Sequence, residues 1–227
     1  MLNVMCFGEA LIDMLPMDNG YQAMCGGAPA NVAVAVSKLG GNSSFVGGLS
    51  QDAMGQKIKT ELQGFGVNCD FAPEVAEKTA LVLVSLDQDG ERSFQFYRNN
   101  TADQQVTVES LKSLDWQQTD IFHFCSNTFT DEVSAGTTLF ALRQIKSAAG
   151  IVSFDVNLRL SLWPAGPETG KMIVKQVNLI LPYVDLIKLS ADELTYLANV
   201  QSMSNESFIK ETIEQGIKCV VITDGPE

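Results

Sequence analysis

The chain is short of the residues that serve acid–base, redox and metal chemistry. It has a single histidine, His123, and five cysteines, with no CxxC pair among them. With one histidine, set in the apolar run 121–124, a Ser-His-Asp triad has no support, and His123 reads as strand filling. Cys6, Cys25, Cys69, Cys125 and Cys219 are odd in number and widely spaced, as expected of reduced thiols in a cytosol. Positive charge is scarce as well: 15 basic residues stand against 27 acidic ones, for a net charge of −12, and the basic residues are scattered. Nucleic-acid binding needs a concentrated basic surface, so that class is excluded, and the acidity reads as plain solubility. No apolar run approaches the roughly 18 residues of a membrane span. Residues 1–16 are apolar, but they lack a basic leader and carry Glu9 and Asp13, which suits a first core strand better than a signal peptide. A cytoplasmic protein with no membrane partner is expected. GxGxxG and the Walker P-loop are also missing, which leaves a NAD-dependent oxidoreductase unsupported.

What is present is 45% hydrophobic sequence in alternating patterns, enough for one sizeable core. Val-, Ile- and Phe-rich runs at 2–7, 44–49, 120–125, 151–155, 184–188 and 218–223 predict strands. Segments of helical period at 29–39, 52–64, 131–148, 168–181, 191–199 and 205–215 lie between them. Such alternation predicts an α/β fold with a mostly parallel central sheet flanked by helices. Two pieces break it. Residues 79–98 form two β-rich arms around Asp89-Gly90, a hairpin signal, and the polar segment 13–25 could pair with them. A small β lid built from about 13–25 and 79–103, inserted within a single domain over 1–227, is the expectation.

Four constellations could carry chemistry. Gly26-Gly27-Ala28-Pro29-Ala30-Asn31 sets two glycines before a helix, so that backbone can approach a ligand closely; an ordinary turn into a helix explains it equally well. Asp13 lies just past the first strand, where a carboxylate can accept bonds from vicinal hydroxyls or simply be solvated. Asp155, Asn157 and Arg159 would share one side if the chain stays extended beyond strand 151–155, giving either a polar-ligand cluster or a surface Asp–Arg pair. Lys188-Leu189-Ser190-Ala191-Asp192-Glu193 joins a strand to a helix, and its Ser-x-x-Glu spacing is that of a capping box. The same residues could also serve phosphate and magnesium.

In order along the chain, GGAPANVAVAVSKLGGNSSFVGGLSQDAMG (26–55), DGERSFQFYR (89–98), FDVNLR (154–159), KLSADEL (188–194) and VITDG (221–225) resemble the ribokinase-like (PfkB) carbohydrate kinases. The FDVNLR and KLSADEL pair looks most like the fructokinase branch, whose relatives include aminoimidazole riboside kinases. The resemblance implies ATP- and magnesium-dependent phosphorylation of a primary hydroxyl of fructose or a related furanose, in a homodimer joined through the lid. It implies that Asp13, Gly26, Gly27 and Asn31 hold sugar hydroxyls, with Arg98 of the lid near the sugar. Arg159 and Lys188 would face the transferring phosphoryl group, Glu193 would order magnesium, and Lys188, Ser190, Thr223 and Gly225 would serve the nucleotide. Where many members have Asn, Ser190 has a shorter reach. The family pattern continues past Gly225 to a DTxGAGD segment bearing the anion hole and the base. The 227-residue chain stops before that segment, and is therefore expected to bind sugar without useful turnover, as a sugar-binding or dimerising fragment would.

Overall fold

The structure, a computed structural model, describes residues 1–86 and 92–225. The Asp89-Gly90 turn lies outside the described residues. The chain divides into two compact units, Met1–Leu114 and Asp115–Glu227.

In the first unit β1 (Asn3–Phe7) runs out to the segment that carries the site. The chain then makes a hairpin of β2 (Leu11–Met17) and β3 (Gly20–Gly26), enters helix α1 (Ala28–Lys38) with Pro29 in its first turn, and returns as β4 (Asn42–Val46). β4 pairs parallel with β1, so α1 is the crossover that a parallel pair requires. Strand pairing then stops and resumes in β5 (Leu49–Ser50), where one continuous strand over 44–49 was expected. Helix α2 (Ala53–Gly64) follows, capped by Asp52, whose Oδ1 accepts from the Gly55 N–H at 2.8 Å. β6 (Glu74–Val75) pairs parallel with β5. β7 (Leu81–Leu86) and β8 (Arg92–Tyr97) form the antiparallel arms read from 79–98, and the short helix α3 (Val108–Leu111) closes the unit. Segment 13–25 does pair with these arms: β7 lies parallel to β2, giving a four-stranded sheet in the order β3-β2-β7-β8. One face of this sheet packs Leu11, Val82, Val84, Leu15 and Phe96 together with Ala80.

The second unit holds four parallel strands, β9 (Ile121–Cys125), β10 (Ile151–Asp155), β11 (Leu186–Ser190) and β12 (Cys219–Thr223), side by side in that order. Helices α4 (Glu132–Ser147) and α5 (Thr169–Ile180) make the first two crossovers, and α6 (Ala191–Val200) with α7 (Asn205–Glu214) the third. Alternate strand residues Phe122, Phe124 and Phe154 are buried, with the Phe124 and Phe154 rings stacked at 4.9 Å. Leu142 and Ile145 of α4 and Ile173, Val177 and Ile180 of α5 are buried as well. β11 starts two residues later than expected from 184–188, because Leu181–Tyr183 continues α5 as a short 3-10 turn. Just before β11, Asp185 accepts from Val152 N, Lys146 Nζ and Lys218 Nζ, each at 2.9 Å, and so ties three strands and α4 together. Burial pushes its carboxyl up, but the bonds from Lys218, Val152 and Lys146 hold it below the usual range.

His123 does fill a strand. Its Nδ1 lies 3.0 Å from Ser153 Oγ on the neighbouring strand, and its Nε2 is buried with no partner among the described residues. Burial pushes it down to about 4. In the unfolded chain it titrates near ~6.5, so the unfolded state binds the extra proton between those values and stability falls as pH drops through that window. The full loss is about 3 kcal/mol. Urea midpoints measured from pH 7 to pH 4.5 should decline, and His123→Gln should flatten most of that decline.

Candidate functional site

Each unit carries one cluster of the expected site residues. In the first, Asp13 sits mid-sheet on β2, opposite Met24 of β3 and Val82 of β7. Its carboxylate rests on the Cα of Gly26: a Cβ built at residue 26 would lie 3.1 Å from Asp13 Cγ and closer still to Oδ2. Only glycine leaves room for a half-buried carboxylate there. Gly27 has φ +109° and caps α1 without a side chain. The missing cap comes from Glu9, buried in the turn after β1, whose Oε1 accepts from the Ala28 N–H at 3.3 Å. Asn31 is exposed on the first turn of α1. Asp13, Gly26, Gly27 and Asn31 thus fall on one hairpin end and one helix start, a carboxylate and an amide beside closely packed glycine backbone, Gly26 itself being buried. Glu9 went unread because its partner lies 19 residues away; the only sequence signal was an acid in an otherwise apolar stretch.

Gly26 and Asn31 also border a small pocket of about 70 Å³ with Cys25, Glu61 and Phe65. Burial, reinforced by a hydrogen bond to Glu61, pushes the Cys25 thiol up to about 12, so it is protonated and offers no nucleophile. Arg98, one residue beyond β8, is not displayed to solvent: its Nε donates to Asp103 Oδ2, and the two side chains are 4% and 0% exposed.

In the second unit Asp155 ends β10 and Lys188 is its register partner on β11, with Nζ 3.1 Å from Asp155 Oδ1. The expectation of an extended 155–159 run is corrected here. Asn157 has φ 34°, its N–H donates to Asp155 Oδ1 at 3.2 Å, and the chain turns. Arg159 is therefore carried off the face of Asp155; it is exposed, with Nη1 donating to the adjoining Leu158 carbonyl at 3.2 Å. The capping box is present: Ser190 Oγ accepts from Glu193 N at 3.1 Å and Glu193 Oε2 from Ser190 N at 2.7 Å. Glu193 does more than cap, since its Oε1 accepts from Leu158 N at 2.7 Å and pins the 157–158 turn to the start of α6. Thr223 is exposed beside Ser190 in register, and Gly225 follows at φ +73°. The structure brings Asp155, Lys188, Ser190 and Glu193 to adjoining strand ends, where open α/β sheets bind ligands. Among the described residues no group of three or more His, Cys, Asp or Glu could hold a metal ion directly.

The pattern for pfkB family carbohydrate kinases matches residues 1–227. A probable chloroplastic fructokinase-6 of Arabidopsis thaliana is 34% identical over 99% of this chain and 60% of its own length. A probable fructokinase-7 of the same plant is 36% identical over 98% of this chain and 67% of its own. Among solved structures, the fructokinase of Xylella fastidiosa with bound ATP superposes with a TM-score of 0.89 at 39% identity, over 99% of this chain and 69% of that one. The aminoimidazole riboside kinase of Salmonella enterica, complexed with aminoimidazole riboside and an ATP analogue, gives 0.80 at 28% identity, over 98% and 70%. This chain thus spans 60–70% of the length of these relatives, and over that span it belongs to the pfkB family of carbohydrate kinases.

Proposed function

We propose that the protein is an ATP-dependent sugar kinase whose acceptor is fructose, phosphorylated at a primary hydroxyl. The observation that carries the reading is the Asp13 carboxylate set against the bare Cα of Gly26, beside the first turn of α1. A half-buried carboxylate accepts bonds from neighbouring hydroxyls, and the absence of a side chain at Gly26 leaves it room to sit at the hairpin end. Fructose is favoured over aminoimidazole riboside because the relatives at 34–39% identity are named fructokinases, whereas the riboside kinase stands at 28%.

On the phosphate side, Lys188 is a cation whose local partner is Asp155, and nucleotide phosphate would compete for it. The residues present fit magnesium held through water. Each Glu193 oxygen already accepts one backbone N–H, and a carboxylate oxygen has capacity for a second donor such as metal-bound water. When bound, the ion supplies charge neutralisation between phosphates. Ser190, Thr223 and Gly225 lie beside this position and are proposed nucleotide contacts; Arg159, which is exposed, would have to swing from the Leu158 carbonyl to join them.

Homodimerisation through the lid is supported by one face of the four-stranded sheet. Met17, Met24, Leu86 and Phe94 take the same side by register and are 40–58% exposed. The five free thiols suit the reducing cytoplasm that we propose as its location. Among the described residues no helix is long and apolar enough to cross a membrane.

Two measurements test these readings. Calorimetric titration with D-fructose should show binding that Asp13→Asn and Gly26→Ala each weaken at least about tenfold, the second by driving a methyl group into the Asp13 carboxylate, with the melting temperature of Asp13→Asn little changed. Unaltered affinity in both variants, or tighter binding of an aminoimidazole riboside than of fructose, would remove the assignment. Sedimentation should show a dimer that Phe94→Glu converts to monomer; a wild-type monomer at high concentration counts against the lid interface.

A further inference from the structure

We infer that Asp103 is a positioning residue for sugar recognition, acting by holding the Arg98 guanidinium at the base of the lid. The inference rests on the sugar-kinase reading above.

Arg98 lies on the correct face. Asp13, Val82 and Phe96 form one row across the sheet by register, and two-residue alternation puts Arg98 on the side of Phe96. Asp13 and Arg98 are then separated by two strand spacings and one pleat. With strands about 4.8 Å apart, that is roughly 12 Å between Cα atoms, a gap that two side chains and a monosaccharide between them would span.

A free arginine would not serve well there, because its long side chain samples many rotamers. Here its Nε donates to Asp103 Oδ2, while the other oxygen of the same carboxylate accepts from Thr101 Oγ1 at 2.7 Å. Asp103 has no exposed side-chain surface, so its position is set by what encloses it. Thr101 and Gln104 close a capping box around it. The Ala102 N–H donates to the Lys78 carbonyl at 2.9 Å, and the backbone of Gly48 lies directly against the Ala102 carbonyl. The opposite arm is fixed in the same way, since Asp52 accepts from Thr79 N at 2.9 Å and Thr79 Oγ1 at 2.7 Å. Both roots of the lid are therefore anchored, and Asp103 fixes the Nε edge of the guanidinium.

Changing only one partner of a buried pair destabilises the fold whatever the pair's role, so stability alone does not report positioning. The distinguishing readout is a cycle between the side chain and the ligand. Fructose and a panel of monodeoxy fructoses are titrated calorimetrically into the wild-type chain, Arg98→Met and Asp103→Asn, with thermal melts defining a temperature at which each is folded. Arg98→Met should abolish the penalty for losing one particular hydroxyl, on the order of tenfold for a bond to a charged group. Asp103→Asn, which keeps the Thr101 bond but loses the charge, should shrink the same penalty although residue 98 is still arginine. The double variant Arg98→Met/Asp103→Leu removes the buried charges together, guards against misfolding of the single variants, and should lose the same discrimination. Uniform weakening across the panel in Asp103→Asn, an unchanged panel, or no hydroxyl specific to Arg98 overturns the positioning role while fructose still binds. Absence of fructose binding by the wild-type chain instead overturns the sugar-kinase reading, and this inference with it.

Discussion

In the first unit, the volume that a Cβ at residue 26 would occupy is filled by the carboxylate of Asp13. That exclusion sets what surrounds it. β2 and β3 must pair in the register Leu11↔Gly26 for the two to meet, and β3 must end there so that α1 can start at Ala28. The chain then turns through Gly27 at φ +109°, where no side chain is available to cap the helix. Glu9 reaches across from the turn after β1 to do so. One tight approach thus places a carboxylate, side-chain-free backbone and a helix start together.

Acidic side chains recur as fasteners at the joints of both units. Asp52 joins the α2 cap to the root of β7, Asp103 holds Arg98, Asp185 gathers Val152, Lys146 and Lys218, and Glu193 bonds both Ser190 and Leu158. Each fills carboxylate lone pairs with backbone, hydroxyl or cationic donors, which is how a buried charge is tolerated. The excess of acid in the composition is thus partly structural. Of these fasteners, Asp52 and Glu193 hold segments that the functional reading assigns to the lid and to phosphate.

Most of the framework was legible in the sequence because it depends on local pattern. The strands at 121–125, 151–155 and 219–223 and all six long helices lie within a residue or two of their expected bounds. The capping box at Ser190 was visible in its spacing, and the antiparallel arms β7 and β8 in the β-rich composition of 79–98. What was hidden depends on partners distant in sequence. The 155–159 run reads as extended strand, yet it turns at Asn157 because Glu193, 35 residues further on, accepts the Leu158 N–H. Glu9 was silent for the same reason; Asp103 pairs with Arg98 only five residues away, in a spacing that carries no motif, and the late start of β11 follows from a 3-10 turn that prolongs a helix beyond its apolar period.

The central claim is that fructose is held on Asp13 at the end of the β2–β3 hairpin. A crystal structure of the chain grown with D-fructose tests it most directly. The account predicts sugar hydroxyls within hydrogen-bonding distance of the Asp13 carboxylate. Fructose ordered elsewhere, with the Asp13 carboxylate making no contact to it, would contradict the account.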